Sequence, residues 1–277
     1  IMLGGFDMNQ YGKYTEGKLT ERKEVAQILT SGHGSPFVAS VSMANAGKYF
    51  KAVLDGLLHR GSCFIQSFTS CQPEHGVGDD KSLVQALAIR DCRGMPEFVF
   101  NPENGEYDTE AFDLAANPSR TRDWQSKKDV NKESYSFDIC QWAATEGRFR
   151  KHFYKIKEKD EKICLKDLLP RITQNDVINR RYLDPKHRSY IPILGVYTDI
   201  VNPETGKKRR TGISRQLVLF SVERRKNWRH LQSRAGIVNK DYEAQKVLLK
   251  RFDSDEIPAE QFFSNTKKLH DELVNSQ

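Results

Sequence analysis

Hydrophobic and polar positions change period several times along this chain, and each change marks an element. From Thr20 the spacing is helical, with Val25, Ile28 and Leu29 on one face and Ser31-Gly32 as a stop. Pro36 to Met43, "PFVASVSM", then alternates as a strand. Ala46, Tyr49, Phe50, Val53, Leu54, Leu57 and Leu58 recur at 3.6-residue spacing, predicting a strongly amphipathic helix closed by Gly61. Cys63 to Phe68 is the next strand, Leu83-Val84-Leu87-Ala88 mark another helix, and Pro96 to Pro102 supplies a third strand. Strand, helix, strand, helix, strand predicts an α/β fold with a parallel sheet and crossover helices.

The character changes near Asn117-Pro118, where "NPSRTRDWQSKKDVNKES" is polar and poor in aliphatics. This places one domain at 1–116, a linker at 117–132 and a mixed, helix-rich extension at 133–277. In the extension, Ile139, Trp142, Ala143 and Phe149 or Phe153 form a helical stripe. Tyr190 to Gln216 suggests strands around an Asn202-Pro203-Glu204-Thr205-Gly206 turn, and "RQLVLFSVERRKNWRHLQS" and the last thirty residues read as helices. The opening "IMLGGFDMNQYGKYTEGK" is punctuated by Gly4-Gly5 and Gly12, a loop entered from something upstream, so the chain reads as a fragment.

Composition narrows the classes. With 277 residues, 38% hydrophobic and 29% charged, and a mean hydropathy of -0.67, a chain with a real core and a polar surface is expected. No run approaches the roughly 18 apolar residues of a membrane span, and no signal pattern opens the chain. Cysteines at 63, 71, 92, 140 and 164 form no CxxC pair, which argues against a secreted disulfide framework and for the cytoplasm. A net charge of +7 invites a nucleic-acid reading. However, the 37 acidic residues are interleaved with the basic ones, and Lys207-Lys208-Arg209-Arg210 and Arg224-Arg225-Lys226 are short, so nucleic acid is not the expected partner. The alternative is a non-catalytic basic module at 130–277. It would dock a partner protein or RNA through its Arg-rich helix, with Trp228 beside Arg225, Lys226 and Arg229 stacking on bases.

The candidate chemistry lies where the apolar run "CFIQSF" stops in Thr69-Ser70-Cys71-Gln72-Pro73-Glu74-His75-Gly76. Cys71 and His75 fall on the loop leaving the carboxyl end of a strand, the edge where open α/β sheets bind ligands. Cys63, Cys92, Cys140 and Cys164 read as packing residues, and His33, between two glycines, as a turn residue.

The order of pieces across residues 8–105 resembles the thiamine-diphosphate domain of the pyruvate:ferredoxin oxidoreductases, more broadly the 2-oxoacid:acceptor oxidoreductases. The matching pieces are Gly17-Lys18, Lys23-Glu24, Val38-Ala39-Ser40-Val41-Ser42-Met43, Gly61-Ser62, Cys71, His75-Gly76 and Asn101-Pro102. Each is short, and it is their order that carries the resemblance. It implies that Cys71 is the isolated fourth ligand of the [4Fe-4S] cluster nearest the thiamine, a role suited to a soft thiolate. It places His75 near the thiamine or the cluster. It further implies thiamine diphosphate with Mg²⁺, coenzyme A as acyl acceptor, ferredoxin or flavodoxin as electron acceptor, and the remaining domains or subunits of the enzyme as partners. The family's Gly-Asp-Gly magnesium motif has no counterpart: Leu54-Asp55-Gly56 lies mid-helix and Gly78-Asp79-Asp80 follows the cysteine loop. The three other cluster cysteines are likewise missing, so the chain is expected to be inactive alone.

Overall fold

The computed structural model describes residues 23–32, 36–71 and 75–238. The Gly17-Lys18 match, His33 and the helices expected in the last thirty residues lie outside the described residues.

Strands β1 (Phe37–Ser42) and β2 (Cys63–Phe68) pair in parallel, joined by helix α2 (Ala46–Leu58), and a short helix α1 (Val25–Leu29) precedes them. The alternation in "PFVASVSM" separates two apolar faces, since every residue of β1 is buried. Phe37, Ala39 and Val41 pack with Ala52 of α2, while Val38 joins a second cluster with Ala26, Phe98, Trp228 and Leu231. In α1 it is Ala26 that is buried, whereas Val25 and Ile28 of the expected face are exposed.

Helix α2 departs further from expectation. Asn45 caps it, its side chain accepting from Lys48 N. The side it turns to the sheet is small, Ala52 and Gly56, and its large apolar residues point away. A Cβ on Gly56 would stand 2.6 Å from Cys63 Sγ and 3.3 Å from the Phe37 ring. Glycine therefore sets the close approach of helix to strand. The polar flank of α2 is tied over the far side of the sheet by Lys48 Nζ to Asp113 Oδ2 (2.8 Å) and His59 Nδ1 to Glu103 Oε1 (2.9 Å).

Helix α3 (Ser82–Asp91) leads to β3 (Phe98–Phe100), and α4 (Asp108–Ala111) to β4 (Phe112–Asp113). The sheet order is β2-β1-β3-β4. This corrects the all-parallel expectation, because β3 runs antiparallel to β1, with Ser40 opposite Phe98 and Val38 opposite Phe100. The cause is the placement of α3. Its Ala88 and Ile89, with Cys92 just beyond, pack against Trp142 and Phe149 of the second half, while Leu83 and Val84 are exposed. The helix stays at the carboxyl end of β1 beside the turn at Met43–Asn45, so the chain re-enters the sheet from that same end.

The segment expected as a linker at 117–132 is structured. Gln125–Lys128 (β5) pairs with Ser134–Phe137 (β6), and Asn117 is buried with its amide on Glu97 and Leu114 carbonyls. The following stretch is not one helix. Asp138 caps α5 (Ile139–Ala143), a 3-10 turn covers Gly147–His152, and Phe153–Tyr154 is β7. The break comes where Gly147 N bonds across the chain to Gly76 O instead of within a helix. Then come β8 (Ile163–Cys164), α6 (Leu165–Leu168), α7 (Gln174–Ile178), β9 (Val196–Val201), β10 (Lys208–Ile213) and α8 (Arg215–Arg234), with a second sheet in the order β7-β10-β9-β8. The β9–β10 hairpin turns at the expected place, Asn202 Oδ1 accepting from Glu204 N and Thr205 N.

Helix α8 binds the halves together. Leu217, Val218, Phe220 and Val222 enter the large core with Trp142 and Phe149, and Trp228 and Leu231 enter the core beneath the first sheet. Trp228 Nε1 donates to Arg122 O at 2.8 Å and Gln232 Nε2 to Arg120 O at 2.6 Å. The polar stretch expected as a boundary is thereby seated along α8.

Candidate functional site

The carboxyl ends of β1 and β2 share one edge of the first sheet. Beyond β2 the chain exposes Thr69, buries Ser70, whose hydroxyl lies 3.3 Å from Ser82 Oγ, and then exposes Cys71. His75 N donates to Cys71 O at 2.8 Å, which ties the two residues together.

Cys71 and His75 have opposite surroundings. The thiol of Cys71 is free and exposed. The His75 ring is buried, 6.2 Å from the Phe68 ring centroid. Its Nδ1–H donates to Glu146 Oε1 at 3.2 Å, which leaves Nε2 as the second functional nitrogen. Glu146 is itself buried, and its other oxygen accepts from Arg148 Nε at 2.6 Å. The Arg148 guanidinium lies 5.6 Å from the Trp142 ring and 5.1 Å from Phe149. Burying a carboxylate between a guanidinium and an imidazole N–H satisfies its charge where water cannot. The backbone adds a bond from Gly147 N to Gly76 O at 3.3 Å, Gly76 having φ +64. Trp142 is in turn held by its indole N–H on Gln85 Oε1 (3.0 Å), and Gln85 Nε2 donates to Thr145 Oγ1 (3.0 Å). The second half thus braces His75 and Gly76.

Sequence reasoning singled out Cys71 and His75 but not Glu146 or Arg148. Those two sit in a stretch expected as helix, "ATEGRFR", and the folded chain buries both. Of the other thiols, Cys92 and Cys140 are fully buried and burial pushes both up, Cys140 well above the ordinary thiol value. Cys164 is half-buried and raised by burial too, whereas Cys63, expected as a packing residue, is exposed at the start of the edge strand β2.

At the same sheet edge Glu97 is buried, one oxygen accepting from the Ser42 hydroxyl and the other without a partner. Burial raises its pKa, against the lowering effect of the Ser42 bond and of Arg90. No group of three or more His, Cys, Asp or Glu side chains comes together among the described residues. They therefore do not fit a complete iron–sulfur cage or a Mg²⁺–diphosphate site, and Cys71 offers one ligand position only.

The Arg-rich helix does not present the surface imagined for RNA. Trp228 is fully buried with the Arg93 guanidinium 4.2 Å from its ring. Arg224 is buried on Glu24 and Glu223, and Arg225 donates to Leu169 O and Ile172 O. On β10, Lys208 pairs with Glu133 and Arg210 with Asp199 and Glu161. No described helix is long and apolar enough to cross a membrane. Comparison with known protein families and with curated proteins finds no match to this chain.

Proposed function

We propose that this chain is the carboxyl-terminal part of a thiamine-diphosphate domain in a 2-oxoacid:ferredoxin oxidoreductase, and that it contributes one thiolate to a cluster held mainly by other parts of the enzyme. The observation that carries the reading is Cys71 itself, a free, exposed thiol at the carboxyl end of a parallel strand pair. Cys92 and Cys140, by contrast, are fully buried in the core. The ordered sequence resemblance supports the reading independently.

In this role the chain's own residues hold and orient. His75, whose backbone N–H bonds to Cys71 O, is held from behind by Glu146 and Arg148, so the exposed thiol is tied to a residue anchored in the interior. The bound cofactors would supply the carbanion and electron-transfer chemistry. Pyruvate or a related 2-oxoacid, coenzyme A and a ferredoxin or flavodoxin are the reactants this assignment entails.

The test is isolation of the chain with its native assembly, with iron analysis and low-temperature EPR of the reduced protein. Cys71→Ser is expected to lose or alter the thiamine-proximal cluster signal with thiamine diphosphate retained, whereas Cys164→Ser leaves the signal unchanged. An assembly without iron, or full iron and an unaltered signal in Cys71→Ser, overturns the proposal.

A further inference from the structure

We infer that the cavity between α7 and α8 is a binding site for a small amphipathic carboxylate, an apolar body carrying one anionic head. This inference does not rest on the thiol assignment. The cavity holds about 470 Å³, within the range that receives small organic ligands. The two helices that wall it pass each other in opposite directions. Arg225, midway along α8, donates to the Leu169 and Ile172 carbonyls just before α7. Arg215, the first residue of α8, donates to Ile191 O, and Ile191 N bonds to Tyr182 O just after α7. The cavity therefore has two ends. Arg180 and Arg215 line one, Glu223 the other, and Val177, Leu219 and Val222 the apolar stretch between.

The ends differ in charge. Glu223 is compensated, its carboxylate accepting from the Arg224 guanidinium. At the other end neither guanidinium has a carboxylate partner among the described residues. Arg215 places Nε and Nη2 on a neutral carbonyl, Ile191 O, at 2.9 and 2.6 Å. The Arg180 side chain makes no hydrogen bond or ion pair among the described residues. Arg215 also opens a helix of twenty residues, whose amino terminus already carries positive partial charge. Three positive sources thus converge on one end of an apolar cavity. Such an end holds an anionic head while the body lies along Val177, Leu219 and Val222. A guanidinium binds a carboxylate through paired N–H donors, and a cationic or neutral head gains nothing from it. A body of roughly six to ten carbon atoms suits a cavity of this volume.

Titration of the 277-residue chain with octanoate, followed by calorimetry and by saturation-transfer NMR, tests the inference. Saturable binding with a Kd below about 1 mM is expected. Acetate, which lacks the body, and octylammonium, which reverses the charge of the head, are each expected to bind at least ~10-fold more weakly. These comparisons need no variant. Arg180→Asn removes the unpartnered charge and supplies a residue that tolerates the left-handed φ of +53 at this position. It is expected to weaken octanoate binding at least ~10-fold. Arg181→Asn is an equal loss of charge one residue on, at a side chain that pairs with Asp176, and is expected to leave the affinity unchanged. No saturable binding by the parent chain, or acetate or octylammonium bound as tightly as octanoate, overturns the inference. So does an affinity that Arg180→Asn leaves intact or that Arg181→Asn lowers equally.

Discussion

Replacing Asp138 by asparagine is expected to stabilise the protein at neutral pH and to leave it unchanged near pH 4. Asp138 caps α5, its Oδ1 accepting from Cys140 N at 2.9 Å and Gln141 N at 3.2 Å. Those bonds favour the carboxylate, but burial opposes it more strongly, and the pKa is raised from 3.8 to about 6. That displacement corresponds to about 3 kcal/mol of differential interaction between the two protonation states. The residue is partly exposed, so about 1–2 kcal/mol is the reasonable expectation after solvent screening. The sign follows from proton binding. Between pH 4 and 6 the folded state holds more protons at this site than the unfolded state, so stability falls as pH rises through that window. Above it the loss is complete. Asparagine retains the accepting oxygen and ranks with aspartate as an N-cap, so the cap survives without the charge. Urea denaturation of parent and variant at half-unit steps from pH 4 to 7 reads the difference directly, and other titrating groups cancel in it. A variant less stable than the parent by 1 kcal/mol or more at pH 7, or a difference that does not vary with pH, refutes the reasoning.

Other substitutions probe different links. Gly56→Ala places a methyl group against Cys63 Sγ and the Phe37 ring and is expected to cost about 1–3 kcal/mol in a thermal melt, although alanine is the better helix former. Gln85→Leu leaves the buried Trp142 indole N–H without its acceptor and is expected to cost about 1–3 kcal/mol, read by denaturation. Arg224→Met removes a buried guanidinium from its pairs to Glu24 and Glu223 and is expected to cost about 3–5 kcal/mol at pH 7. In the native protein a thiol reagent is expected to label the exposed Cys63 and Cys71 first, and Cys92 and Cys140 only on unfolding, which peptide mapping resolves.

Local signals were legible where neighbours in sequence are neighbours in space. The 46–58 helix, the 63–68 strand, the 215–234 helix and the hairpin at Asn202 all depend on spacing, capping and turn chemistry within a few residues. The direction of β3 was not legible, because it depends on whether α3 packs on its own sheet or on Trp142 about fifty residues later. The same limit hid the sheet-facing side of α2, since periodicity locates an apolar stripe without saying what it faces. At the candidate site, Cys71 and His75 stand out by their place after a strand. Glu146 and Arg148 do not, because their inward turn follows from the break at Gly147 and its bond to Gly76.

The span of α8 across both cores bears on the order in which the chain can fold during synthesis. Gln27 is hydrogen-bonded to Asn227 and Thr30 to Arg234, contacts closed across 200 and 204 residues. The face of β1 that carries Val38 finds Trp228 and Leu231 only when α8 has been made. A ribosome-bound nascent chain that has reached β2 therefore holds a sheet covered on one side and apolar on the other. Loop closure over such a distance is entropically costly, and intermediates with uncovered strands are the ones prone to associate. Nascent chains of increasing length should stay sensitive to protease within residues 36–68 until α8 has emerged, and then become resistant in a single step.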